Sequence, residues 1–173
     1  MKNIFIDENG DYGLDYKNAV WASDQMHKDY HDSKVQLSDA DFLLEDEKSI
    51  MIIEYKNANT KRARDAGFKT PPFNPMDDRK FASIVRKFYD SLHYVHLLGK
   101  CKLIKYIYVV EIQNGDETMR KRLRNKMKTL LPFELQKKMN TGITLIDNVD
   151  VLSIEEWNMH DEYGKYPFIK IKG

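Results

Sequence analysis

The 173 residues suit one compact domain, and a chain of that size buries a core without staples. A formal net charge of +1, with 42% hydrophobic and 32% charged residues, describes an ordinary globular protein without the global basic field of a general nucleic-acid binder. A single cysteine excludes an internal disulfide framework and a cysteine-based zinc site, and no apolar stretch approaches the ~18 residues of a membrane span.

The opening MKNIFIDENG has too short an apolar run for a signal peptide, so a soluble cytoplasmic protein with no membrane partner is expected. Asn3 to Ile6 reads as a short strand or hydrophobic anchor, and Asp7 to Gly10 as a turn. From Tyr16 to Tyr30 the pattern predicts a helix with Val20, Trp21 and Met26 on its apolar stripe. His27 and His31 are spaced i, i+4, but no Glu follows His27 as in a zinc protease, so they read as a half-exposed helix face.

Val35 and Leu37 begin a short strand. Phe42-Leu43-Leu44 and Ile50 to Ile53, divided by the polar run Glu45 to Ser49, predict a β-hairpin. Asn57 to Pro75 is irregular and holds Gly67, Pro71, Pro72 and the basic residues Lys61, Arg62, Arg64 and Lys69. Loops of this length in small domains are usually functional or disordered.

Asp77 is an N-cap for the clearest amphipathic helix, with Phe81, Ile84, Val85, Phe88, Leu92 and Val95 at steps of three and four and Gly99 as its stop. Cys101 follows in an apolar run and reads as a small core residue rather than a nucleophile. Lys102 to Ile112 is β-branched and aromatic, a central strand.

Met119, Leu123, Met127, Leu130 and Leu131 stripe another helix, which Pro132 ends. Ile143 to Ile146 and Val149 to Leu152 read as strands. Ser153 and Glu156 form a capping box before a helix carrying Trp157, and Phe168 to Ile171 is a final edge strand. The order implies a single α/β domain with a mixed central sheet flanked by helices.

Chemistry concentrates on the hairpin. Its second strand is apolar on both faces until Glu54, and burying a carboxylate and an ammonium there costs several kcal/mol unless each is paired or metal-bound. Glu54 and Lys56 project from one face, two residues apart. If the turn holds an even number of residues, Glu45 pairs with Ile50, Asp41 lies opposite Glu54, and Asp39 lies opposite Lys56. Opposed residues place their Cβ atoms ~5 Å apart. Two facing carboxylates repel unless a cation separates them, and Mg²⁺ favours such oxygen ligands.

An Asp, a hairpin, and then Glu-X-Lys resembles the PD-(D/E)XK nuclease superfamily, which includes restriction enzymes and junction resolvases. The flanking order resembles its restriction-endonuclease-like core over residues 16 to 112, with 113 to 173 as C-terminal elaboration. The resemblance implies an enzyme hydrolysing DNA phosphodiester bonds, with Asp41, Glu54 and the main-chain carbonyl of Tyr55 holding Mg²⁺ (or Mn²⁺) and Lys56 orienting the attacking water. Many members add an acid from the first helix; Asp24 is the favoured candidate here, over Asp29 and Asp15. Ala40 departs from the family's proline, and the Asn57–Pro75 loop delays the next helix.

Lys61, Arg62, Arg64 and Lys69 follow the motif directly and read as nucleic-acid contacts, with Phe68 and Phe73 able to stack on bases or anchor the loop. Arg120, Arg124 and Lys128 share a helix face that could track phosphates, although such runs are more often solvated faces. Glu111 reads as a strand-end surface residue, and Trp21, Tyr94, Tyr106 and Tyr108 as core aromatics with a polar handle.

Neither the acids nor the lysine reads the sugar, so RNA stays open as a substrate. The even charge balance suits a homodimer or a partner protein that supplies DNA affinity. Two alternatives stand beside this reading: a catalytically inactive nuclease-fold binding or assembly module, and an unrelated α/β partner-binding protein whose Asp39 and Lys56 form a surface ion pair.

Overall fold

The computed structural model describes residues 3–60, 65, 73–113 and 115–171. Two sheets organise them. The larger has five strands, β3 (Trp21–Ser23), β4 (Phe42–Glu45), β5 (Ser49–Asn57), β6 (Leu103–Glu111) and β7 (Asn148–Leu152), in that spatial order. It is mixed: β3–β4 and β4–β5 are antiparallel, while β5–β6 and β6–β7 are parallel. The smaller sheet is antiparallel and joins β1 (Ile4–Ile6), β2 (Tyr12–Asp15) and β8 (Phe168–Lys170) in the order β1-β2-β8.

β5 and β6 form the centre because their runs of Ile, Val, Met and Tyr leave almost no polar face to solvent. One face of the large sheet, carrying Leu43, Ile50, Ile52, Tyr106 and Tyr108, packs under α2 (Asp78–Leu97) and α3 (Glu117–Leu130). The other face, with Leu44, Met51, Ile53, Tyr55 and Ile107, packs on Leu14 and Phe168 of the small sheet and on Trp157 of α5 (Ile154–Met159).

The predicted helix signals work as expected. The Asp77 carboxylate accepts from the backbone N–H of Arg79 and Lys80 at 3.1 Å each, and Phe81, Val85, Phe88, Leu92 and Val95 are buried. Gly99, at φ 68°, ends the helical segment. Ser153 and Glu156 form the capping box of α5, and the indole N–H of fully buried Trp157 donates to the Tyr166 carbonyl at 2.7 Å.

Four local expectations are corrected. The helix expected over Tyr16–Tyr30 is replaced by edge strand β3 and the short α1 (Met26–Asp32). Pairing of Trp21–Ser23 with Leu43–Glu45 satisfies this backbone and overrides a weak periodicity, and Val20 is exposed.

Val35–Leu37 makes no strand. Lys34 turns the chain at φ 56°, and the segment after it is gripped by α2. Residues 143–146 make no strand either. The Gln136 side chain, from α4 (Phe133–Met139), bonds Leu145 N, Ile146 N and Ile146 O, supplying the partners a neighbouring strand would have given. Cys101 is exposed in the turn between α2 and β6 rather than in the core. No helix of the described residues is long and apolar enough to cross a membrane.

Candidate active site

The hairpin register decides the geometry. Four residues separate Glu45 from Ile50, and these two pair, followed by Leu44 with Met51, Leu43 with Ile52 and Phe42 with Ile53. One further step sets Asp41 opposite Glu54. Strand alternation then puts Asp41, Glu54 and Lys56 on the α2 side of the sheet and Tyr55 on the other, where its ring stacks on Phe168 at 5.2 Å.

Asp41 lies just outside the ladder, yet it is firmly held. The Tyr55 N–H donates to its Oδ2 at 2.7 Å. A residue in an antiparallel pair aims its N–H and C=O at the same neighbour, so the Tyr55 carbonyl also faces the Asp41 side. From above, α2 grips the segment leading to Asp41: the Ser38 N–H donates to Asp90 Oδ2 at 2.8 Å and the Ala40 N–H to Ser91 Oγ at 3.0 Å.

Glu54 is only 4% exposed, and the Lys87 ammonium of α2 bonds both its oxygens, at 2.8 and 2.9 Å. Burial and the Asp41 charge push the Glu54 carboxyl up to about 8, against the pull of Lys87. Burial raises Asp41 too, although Lys87 and the Tyr55 N–H work the other way. Burial disfavours the Lys87 ammonium, but Glu54 and Asp41 outweigh that and hold it charged.

These groups line a cavity of about 410 Å³ whose wall carries six carboxylates (Asp7, Glu8, Asp24, Asp39, Asp41 and Glu54) against the ammonium groups of Lys56 and Lys87. In a chain of net charge +1 this is a pronounced local excess of negative charge. Two hard oxygen donors facing across a strand pair, with too little positive charge between them, suit a divalent cation. Among the described residues no group of three or more His, Cys, Asp or Glu side chains could hold a metal ion. An ion here would therefore take Asp41 and Glu54 and fill its remaining positions with carbonyl oxygen and water, as Mg²⁺ commonly does.

Scans against protein-family models, curated proteins and solved structures found no match.

Lys56 is exposed at the cavity wall, its Nζ 6.0 Å from the Phe73 ring centre. Among the described residues it pairs with no carboxylate; Asp39 bonds His27 Nδ1 at 3.2 Å instead, so the surface pair of Asp39 with Lys56 is not formed. Asp24 reaches the cavity wall from the turn before α1 rather than from a helix, and its carboxylate accepts from the Gln25 amide at 2.6 Å. Asp29 instead receives the Tyr94 hydroxyl, and Asp15 lies in β2.

The basic ridge of α3 lies apart from this cavity. Arg120 makes a two-pronged pair with Glu156 at 2.6 and 2.7 Å, Arg124 bonds the Val149 carbonyl and Asp150, and the Lys128 ammonium lies over the Phe133 ring. Lys61, Arg62, Arg64, Lys69 and Phe68 lie outside the described residues. Glu111 serves the fold, its carboxylate accepting the Ile154 N–H at 2.6 Å at the start of α5.

Sequence reasoning overlooked Lys87. On a helical wheel it sits one turn before Ser91 and beside Asp90, polar positions among the apolar stripe of α2. Three polar residues recurring on the inward side of an amphipathic helix were the available signal.

Proposed function

We propose that the chain is a divalent-metal-dependent nuclease of the PD-(D/E)XK type, hydrolysing DNA phosphodiester bonds, with a restriction-endonuclease-like core built on β4, β5 and β6. One observation carries the reading. The hairpin register sets Asp41 against Glu54, with Lys56 two residues on along the same face. Two antiparallel pairings followed by two parallel ones, with α2 crossing between β5 and β6, fit such a core.

A bound Mg²⁺ or Mn²⁺ would supply Lewis-acid stabilisation of charge on the phosphate. Asp41 and Glu54 would hold it, Asp41 fixed by the Tyr55 N–H and Glu54 by its place on a central strand. Lys56 has no carboxylate partner among the described residues and is exposed to solvent at the cavity, so its ammonium is free to orient a water and ease its proton loss. The cavity's negative charge would repel a bare phosphodiester, which makes cation dependence an electrostatic requirement of this reading.

The test incubates supercoiled DNA, linear DNA and RNA with the protein and Mg²⁺ or Mn²⁺. Cleavage should need the ion, and Lys56→Ala should reduce it by about 10²–10⁴-fold, the usual worth of a positioned proton-transfer group. Unfolding of that variant should match wild type, because Lys56 is exposed. Full activity of Lys56→Ala, or cleavage in chelator, overturns the assignment.

A second reading has its own observation. The Lys87–Glu54 pair already neutralises one of the two acids, as a catalytically inactive nuclease-fold module with a permanently filled cation position would. Calorimetry showing no binding of either ion would favour it.

A further inference from the structure

Resting on the reading of Asp41 and Glu54 as a divalent-cation site, we infer that the Lys87 ammonium is a built-in stand-in for that cation, bound to Glu54 in the metal-free protein and displaced when an ion enters. Lys87 approaches Glu54 symmetrically, at 2.8 and 2.9 Å from its two oxygens, so no oxygen of that carboxylate is left without a cation against it. Asp41 gives one oxygen to the Tyr55 N–H, and among the described residues its other oxygen makes no hydrogen bond. An ion bridging the two acids would therefore meet an open oxygen on Asp41 and an occupied carboxylate on Glu54. A Mg²⁺ ion sits about 2 Å from its oxygen ligands, so an ion reaching Glu54 from the side the ammonium holds competes with it for the same lone pairs. Like charge adds to the conflict.

The side chain is built to yield. The apolar stripe anchors α2, but Lys87 projects from it on a flexible four-carbon stem and keeps 25% of its side chain exposed. It has somewhere to go, because the same cavity wall carries Asp39 and Asp24. The stand-in also explains how two facing acids are tolerated before metal arrives, because an unpaired buried carboxylate is strongly destabilising.

The unaltered protein provides the test. Lysines are labelled with an amine-reactive acetylating reagent, with and without saturating Mn²⁺, and each site is quantified by mass spectrometry while calorimetry measures ion binding in parallel. Labelling of Lys87 should rise severalfold with Mn²⁺, because the ammonium loses its carboxylate and moves toward solvent. The exposed Lys17 and Lys28, outside the cavity, serve as internal standards and should not change. If Mn²⁺ binds but Lys87 labelling stays constant, the ammonium is not displaced and this inference falls while the metal site stands. If calorimetry detects no Mn²⁺ binding, the metal reading and the inference fall together.

Discussion

The β4–β5 hairpin carries a nearly buried glutamate at each end, and the two have opposite characters. Glu45, beside the turn, is gripped by Lys100 and also paired with Lys102 at 2.9 Å. These bonds, led by the one from Lys100, hold its carboxyl below the usual range. Glu54, at the far end, has one lysine for two carboxylates, and its carboxyl is pushed up to about 8. Little of either is exposed, 7% against 4%, but Glu45 lies close under the surface and Glu54 deep in the protein, where burial is the largest cause of its rise. The ratio of cations to anions widens the difference: Glu45 has two lysines to itself, whereas Glu54 shares Lys87 with Asp41. On the proposed reading, the second end is the one that would take a ligand.

The strongest way to break this contrast is through pH. A carboxyl raised from 4.5 to about 8 on folding holds, below that pH, a proton that the unfolded chain gives up, and the two-oxygen pair with Lys87 belongs to its ionised form. Its contribution to stability is therefore full below pH 4.5 and is lost as pH rises through about 8. Urea unfolding of Glu54→Gln in chelator should lack that decline, and the two proteins should diverge by up to about 5 kcal/mol across the window. Parallel curves would show that Glu54 is ionised and at ease. Glu45 has the reverse sign, giving stability present above its unfolded pKa and lost only as pH falls through its lowered one.

Removing Glu45 tests the satisfied end. Glu45→Ala should destabilise by about 2 kcal/mol, less than the 3–5 of a fully buried pair because Lys100 and Lys102 keep about a quarter to a third of their side chains exposed. Calorimetric Mn²⁺ binding should be unaffected by that substitution; a lost ion would show that the two ends are not separate.

The smallest expected effect is that of Asp41→Asn, which keeps an oxygen for the Tyr55 N–H but removes the charge facing Glu54. At pH 8 the metal-free variant should be more stable by on the order of 1 kcal/mol, seen as a raised melting temperature. A loss of stability would instead mean that Asp41 supports the metal-free fold.

Much of this was legible in the sequence because its signals are local. The apolar run ending in Glu54 and Lys56 fixes strand β5, and the even turn fixes the opposed aspartate. Asp77 and the stripe from Phe81 to Val95 fix α2. The small sheet was less visible. Ile4–Ile6 was readable as a strand, but Tyr12–Asp15 is held by β1 and β8, and the latter lies more than 150 residues away in sequence. Lys87 was hidden for a similar reason: its partner is 33 positions away on another element, and a lysine on a charged helix looks like solvent-facing polarity. The Gln136 side chain, which stands in for a strand partner at Leu145 and Ile146, leaves no pattern in the sequence.

One consequence of the α2 clamp concerns mechanical control. The same helix carries Lys87, through its side chain, and residues 38–40, through Asp90 and Ser91, whereas Glu54 rides on the central sheet. Sliding that helix against the sheet would therefore move the ammonium relative to the glutamate, while Asp41, tied to the Tyr55 N–H and next to Phe42 of β4, stays with the sheet. The separation of ammonium and glutamate is thus the distance on which a load reaching α2 from outside would act.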